Sequence, residues 1–273
     1  MSEFAVDIVG LTKAFGGLTA VDDITIQVPP GRIHGILGPN GAGKTTVLNM
    51  VSGFIQADSG RIDVFGQDVT RMQPFQIARR GVARTYQNIR LFPGLTVLET
   101  VVAGAYAQRK STIAGALLMS PAERRERREM RARAAGLLDK VGCRAPHSAL
   151  AETLSYGDQR RVEIARALAT DPRVLLLDEP TAGMNDAESQ EVGHLLVELR
   201  ESGLTLILIE HNMRLVEDFC ATVSVMNSGA LLAEGAPTWC LEQDEVKEAY
   251  FGKRSDAARI ATLRRARRGP GGA

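Results

Sequence analysis

Nine consecutive residues, Gly38-Pro39-Asn40-Gly41-Ala42-Gly43-Lys44-Thr45-Thr46, constrain this chain more than any other stretch. They follow an apolar strand candidate at 32–37 and precede a helix candidate at 47–51. The G-x-x-x-x-G-K-[ST] spacing therefore lies in the strand–loop–helix context that its chemistry needs. Glycines let the backbone curl so that several N–H groups converge on one anion at a helix N-terminus. Lys44 then reaches the β- and γ-phosphates, and the Thr45 hydroxyl can ligate Mg²⁺. The plainer alternative is a Gly-rich turn that binds nothing, and the residues that accompany the loop decide between the two.

At 273 residues and 44% hydrophobic content, the chain suits one large α/β domain or two small ones with a sizeable core. The 33 basic and 32 acidic residues leave a net charge of +1, which does not point to a nucleic-acid partner. From Lys253 onward there are seven basic residues and one acidic, so this tail carries +6 and the body before it −5. Cys143, Cys220 and Cys240 are far apart and show no C-x-x-C or Cys/His ligand spacing, which argues against a zinc site or disulfide framework and fits a reducing, cytoplasmic setting. The start lacks a basic region followed by an apolar one, and no apolar run approaches the roughly 18 to 20 residues that span a bilayer. The expectation is a chain neither secreted nor membrane-spanning by itself, yet able to sit against a membrane through a partner.

Residues 4–31 alternate apolar and polar positions around Gly16-Gly17, which predicts short antiparallel strands ending at Pro29-Pro30-Gly31. Phe15, just before the double glycine, either covers an adenine ring or serves as a core aromatic of the sheet. A strand and turn are expected over 58–66, and a β-rich run over 81–93 that places Gln87 at a strand end. Taken alone, Gln87 reads as a surface amide. Residues 97–150 read mostly helical, with a helix start at Ser120-Pro121-Ala122-Glu123 and a run of interleaved Arg and Glu at 124–133. Mixed signs at helical spacing favour a solvated, salt-bridged face over a nucleic-acid surface.

Ser155 and Gly157 precede an amphipathic helix with Val162, Ala165 and Leu168 on one stripe, so its N-terminus is either a second anion site or simply capped by Ser155. The run at 173–181 is a continuous apolar strand ending in Asp178 and Glu179. Active groups of open α/β sheets collect at the carboxyl ends of strands. There Asp178 can hold Mg²⁺ through water and Glu179 can polarise a water for attack on a γ-phosphate, unless the pair only caps the next helix. A further apolar strand at 204–209 closes on Glu210 and His211, which brings His211 to the same edge, near a γ-phosphate or the attacking water.

The order of these motifs resembles the ATP-binding-cassette ATPases over residues 4 to about 252. Residues 38–46 match the Walker A loop, Gln87 the Q-loop, 154–158 the signature, 174–179 Walker B with its trailing glutamate, 182–185 the D-loop and His211 the switch histidine. Within that family, residues 85–92, 154–161, 209–213 and 246–252 are similar to the LivG type of ATPase, from branched-chain amino acid importers. The signature usually reads L-S-G-G-Q, and Tyr156 and Asp158 depart from it. Tyr156 is usual in the LivG-like branch, whereas Asp158 sets an acid near an expected phosphate. Phe15 stands where many relatives carry Tyr, and Asn185 replaces the D-loop Asp.

The resemblance implies an α/β fold of the P-loop NTPase, ABC type: a domain at 1–252 with an antiparallel β subdomain and a helical subdomain inserted at about 97–165, then a basic tail at 253–273. It implies ATP and Mg²⁺ as cofactors. ATP would be held by Phe15 and residues 38–46, and by Ser155 and Gly157 of a second subunit in a head-to-tail homodimer or heterodimer. Thr45, Gln87 and Asp178 would serve the metal, and Glu179, His211 and Gln87 the hydrolysis. Integral-membrane permease subunits would be direct partners at the cytoplasmic face, and a periplasmic solute-binding protein an indirect one. Competing readings are an ATPase of lipid or lipopolysaccharide export and a soluble non-transport cassette protein. The second usually carries two cassettes or long coiled-coil inserts. A P-loop kinase would need an acceptor pocket and lid and would not need residues 154–158. The Arg-rich tail is either a solvated appendage or a contact for anionic lipid headgroups.

Overall fold

The structure, a computed structural model, describes residues 3–106 and 121–251. β1 (Val6–Phe15) and β2 (Leu18–Val28) form the expected hairpin around Gly16-Gly17. β3 (Ile33–Leu37) leads through residues 38–43 into α1 (Lys44–Val51), and β4 (Ser59–Val64) and β5 (Gln67–Asp68) complete a four-stranded antiparallel sheet in the order β2-β1-β4-β5. After α2 (Pro74–Arg79) and β6 (Val82–Arg84) come the helices α3 (Val97–Ala105), α4 (Pro121–Lys140) and α5 (Tyr156–Leu168). The chain then alternates β7 (Val174–Asp178), α6 (Asp186–Glu201), β8 (Thr205–Ile209), α7 (Met213–Phe219) and β9 (Thr222–Asn227). It closes with β10 (Ala230–Gly235), α8 (Pro237–Glu242) and α9 (Asp244–Phe251).

The second sheet has the order β10-β9-β3-β8-β7-β6, parallel except for β10. All residues of β3, β7 and β8 are buried, because both faces of the sheet are covered. The pleat sorts them. Leu175, Leu177, Leu206 and Leu208 face one apolar cluster with α3, α5 and α6, while Val174, Leu176, Ile207 and Ile209 join α1 and the inner face of the antiparallel sheet in another. With the strands parallel, the carboxyl ends of β3, β7 and β8 lie side by side, and there the candidate site forms.

β6 stops at Arg84, so Gln87 lies in the irregular segment that follows and not at the end of a longer strand. The physical reason is that the Tyr86 and Gln87 carbonyls accept hydrogen bonds from the Arg160 guanidinium and are not available to a ladder. The charged run on α4 is solvated, with Arg125 and Glu129 paired at 2.8 Å one turn apart. Ser120, expected to start that helix, and the basic tail lie outside the described residues. Among the described residues no helix is long and apolar enough to cross a membrane.

One polar residue interrupts β3. His34 is fully buried, its ring nitrogens 2.8 Å from Thr222 Oγ1 and 2.9 Å from Ser224 Oγ, and burial pushes its pKa down to about 4. The folded chain thus holds this ring neutral where the unfolded chain, with a pKa near 6.5, would take up a proton. Stability is therefore full above pH 6.5 and falls as pH drops towards 4, by about 3 kcal/mol from this group. His34→Asn should flatten that limb of urea-unfolding free energy against pH; an equally steep limb in the variant would remove His34 as its source.

Candidate active site

The loop between β3 and α1 is built into the sheet before any side chain is considered. Gly38 (φ +146°) and Gly43 (φ +100°) hold backbone conformations that L-residues rarely adopt. A methyl group at Gly38 would also run into the Met226 carbonyl oxygen of β9, and one at Gly43 into the Ala20 carbonyl oxygen. Gly43 is the N-cap of α1 and brings no side chain to its first turn, so the N–H groups there remain available to an anion. Lys44 is 8% exposed and donates from Nζ to the carbonyls of Gly38 (2.7 Å) and Pro39 (3.0 Å). Desolvation lowers its pKa, while Glu179 and Asp178 pull it upward. Asn40, Gly41, Ala42, Gly43, Lys44, Thr45 and Thr46 line a cleft of about 360 Å³ together with Ala20, Gln87 and Glu179.

The acidic side of the cleft comes from β7 and β8. Asp178 ends β7, buried, with Oδ2 held by Arg84 at 3.1 Å; Arg84 in turn donates to Asn49 and Ser52. Burial raises the Asp178 pKa and the Arg84 charge opposes the rise. Its Oδ1 is buried and has no hydrogen-bond partner in the described chain. Glu179 follows with φ +48°, a left-handed conformation that costs a non-glycine residue energy and is fixed by its N–H donating to the Ile209 carbonyl at 2.9 Å. That turn swings its carboxylate into the cleft, where it accepts from Gln87 Nε2 at 2.9 Å and lies 3.9 Å from His211 Nδ1. His211 itself is exposed, and the fully buried Glu210 sets its position. Glu210 accepts from the Thr181 N–H and hydroxyl and from the His211 N–H, tying the ends of β7 and β8 together.

Residues 40–46, Gln87, Asp178, Glu179 and His211 are thus gathered at one edge, with Gly38 and Pro39 supporting Lys44 from below. Three expected site residues are not part of that gathering. Phe15 sits at the hairpin turn, 47% exposed, with the Lys13 ammonium 5.4 Å from its ring centre, and does not line the cleft. Ser155 and Gly157 line a separate cavity of about 150 Å³ with Arg144, Asp158, Arg161 and Glu188 among its walls. Ser155 caps α5 by accepting from the Asp158 N–H (3.2 Å) and donates its hydroxyl to the Asp158 carboxylate (3.1 Å). Asn185 likewise caps α6 through a reciprocal box with Glu188.

Sequence reading assigned no role to Arg84, Arg160, Glu163 or Glu210, all of which hold site residues in place. The available signal was Arg160 and Glu163 three apart within a helix whose neighbours are Val162, Ile164 and Ala165: opposite charges inside an apolar stretch.

Residues 21–182 match the family model described as ABC transporter. The chain belongs to that family of ATP-binding proteins. The family resemblance and the ABC-type α/β fold expected from it are therefore borne out. This ABC ATPase is 40% identical over 254 residues to the high-affinity branched-chain amino acid transport ATP-binding protein BraF of Pseudomonas aeruginosa, covering 93% of this chain and 100% of BraF. LivG of Escherichia coli K12, named for the same transport, is 41% identical with the same coverage. The lipopolysaccharide export ATP-binding protein LptB of E. coli K12 is 35% identical over 89% of this chain and 95% of its own. Among solved structures, a nucleotide-free ATP-binding cassette from an ABC transporter matches with a TM-score of 0.79 at 30% identity, over 91% of this chain and 99% of that one.

A divalent metal fits the donors of this ABC ATPase. Among the described residues no three His, Cys, Asp or Glu side chains cluster as a self-sufficient cation site. The unpartnered Asp178 Oδ1 and the Thr45 hydroxyl are hard oxygen donors of the kind that hold Mg²⁺ jointly with substrate phosphates.

Proposed function

We propose that this chain is the ATP-hydrolysing subunit of an importer for branched-chain or related amino acids, working at the cytoplasmic face of the membrane with permease subunits and, through them, a solute-binding protein. The observation that carries the ATPase chemistry is the Gln87–Glu179 hydrogen bond across the cleft from Lys44. Lys44 and the loop N–H groups hold the phosphates, Glu179 accepts a proton from the attacking water, and Gln87 and His211 orient that water and the γ-phosphate. Asp178 and Thr45 would hold Mg²⁺, which supplies charge neutralisation at the β- and γ-phosphates when bound. The importer assignment is supported by full-length similarity to BraF and LivG at 40% and 41%, against 35% for LptB.

Two chains are needed for a complete site. Ser155 and Gly157 lie at a helix N-terminus in a cavity of their own, apart from the Lys44 cleft, so each chain offers two half-sites that a head-to-tail pair would join around each ATP. A larger apolar groove of about 410 Å³, with Phe54, Phe75, Tyr86, Phe92, Ala103 and Arg166 among its walls, suits a permease segment. Tyr86 lines this groove and the next residue, Gln87, lines the cleft. A segment seated in the groove would thus touch the residue next to Gln87. The test is purification of the full chain with whatever membrane and solute-binding subunits accompany it, then ATP-driven uptake by vesicles carrying the complex. Uptake of leucine, isoleucine or valine is expected, and ATP-driven release of lipopolysaccharide without amino acid uptake would overturn the importer reading in favour of the LptB-like one.

A further inference from the structure

The signature helix α5 carries a buried charge pair that the hydrolysis chemistry does not use. Arg160 and Glu163 are both 0% exposed and 2.7 Å apart. Arg160 donates through one nitrogen to the Tyr86 carbonyl (2.5 Å) and through the other to the Gln87 carbonyl (2.8 Å) and the Tyr156 hydroxyl (3.1 Å). Glu163 takes the Tyr86 N–H at 3.3 Å on its other oxygen, with Arg166 3.7 Å away. Three backbone groups of residues 86 and 87 are therefore fastened to one turn of α5. The same guanidinium reaches Tyr156, which lies between Ser155 and Gly157.

Stability is an insufficient reason for such a pair, since apolar residues of similar volume commonly serve as well or better in a core. What a buried guanidinium fork adds is direction: a planar donor set that fixes several acceptors at once. Gln87 in turn donates to Glu179 at 2.9 Å. We propose that the Arg160–Glu163 pair is a positioning device that ties the Ser155 half-site to the Gln87–Glu179 half-site of the same chain. The inference rests on the roles given to Ser155, Gly157, Gln87 and Glu179 under Proposed function. In a head-to-tail pair those two half-sites serve different ATP molecules. A shift of the α5 N-terminus on engaging one nucleotide drags the 86–87 peptide and re-aims Gln87 on Glu179 at the other. The two sites then turn over interdependently, and the link is internal to each chain.

The experiment compares the full-length chain, with its co-purifying subunits, with Arg160→Lys and with Arg160→Met combined with Glu163→Met. Arg160→Lys keeps the charge and loses the fork. The double variant removes the pair without leaving a lone buried charge. Both are expected to lower kcat about tenfold or more and to bring the Hill coefficient for ATP from near the number of sites down to about one. ATP affinity should stay within about twofold, because the residues that hold the phosphates are untouched. A folded double variant with parental kcat and Hill coefficient would overturn the proposal, as would an ATP affinity that falls in step with kcat. If the double variant does not fold, the Hill coefficient of Arg160→Lys decides alone. An unmodified complex that does not hydrolyse ATP would take down the active-site reading and this inference together. A working parent with unaffected variants removes the inference only.

Discussion

Glu179→Gln is expected to lower ATP turnover by about 10²- to 10⁴-fold while leaving ATP binding intact, the range lost with a general base. The substitution keeps the shape of the side chain and an oxygen that can still accept from Gln87 Nε2. It removes only the carboxylate proposed to take the proton from water. The left-handed backbone at this residue is tolerated by a Gln as by a Glu, so the turn from β7 should persist. Single-turnover hydrolysis with saturating ATP, set beside ATP binding at equilibrium, separates the two quantities. Turnover within a few-fold of the parent would take the base role away from Glu179.

Lys44→Ala should act on the other quantity. The ammonium is buried beside the cleft and held on the Gly38 and Pro39 carbonyls, so it is poised to add to phosphate oxygens a charge that the solvent screens poorly. A charge-assisted hydrogen bond of this kind, together with the partly screened Coulomb attraction, amounts to about 2 to 4 kcal/mol. That is roughly a 30- to 1000-fold loss of ATP affinity. Adenosine, which carries no phosphate, should bind parent and variant alike, and a titration with both ligands checks this. Equal affinity for ATP in the two proteins would contradict the phosphate assignment.

The residues that declared themselves in the sequence were those whose physics is local. A glycine-spaced loop ending in Lys44, an apolar β7 closing on Asp178 with Glu179 next, and an alternating β2 each follow from a rule about a few neighbouring positions. Arg84 and Glu210 were silent because their meaning lies in partners distant along the chain: Asp178 for one, Thr181 for the other. Gln87 was expected at a strand end and lies beyond one, since the hydrogen bonds that stop β6 come from α5, more than seventy residues later. Ser155 shows the opposite limit. Its cap is legible from sequence and present in the fold, yet under the proposed pairing what else its hydroxyl meets would be set by a second chain.

The seating of residues 38–43 against the Met226 and Ala20 carbonyls has a thermodynamic consequence. A loop of six residues that had to be ordered by its ligand would consume on the order of 10 kcal/mol of the interaction in fixing its backbone. Here the fold has already met that cost through the packing of Gly38 and Gly43. Under the proposed head-to-tail pairing, the free energy released when ATP lands would be left over for drawing two chains together, and the nucleotide would act as the concentration-dependent adhesive between them. In such a design the ratio of closed to open pairs reports the local ATP supply, and hydrolysis is the step that erases the report.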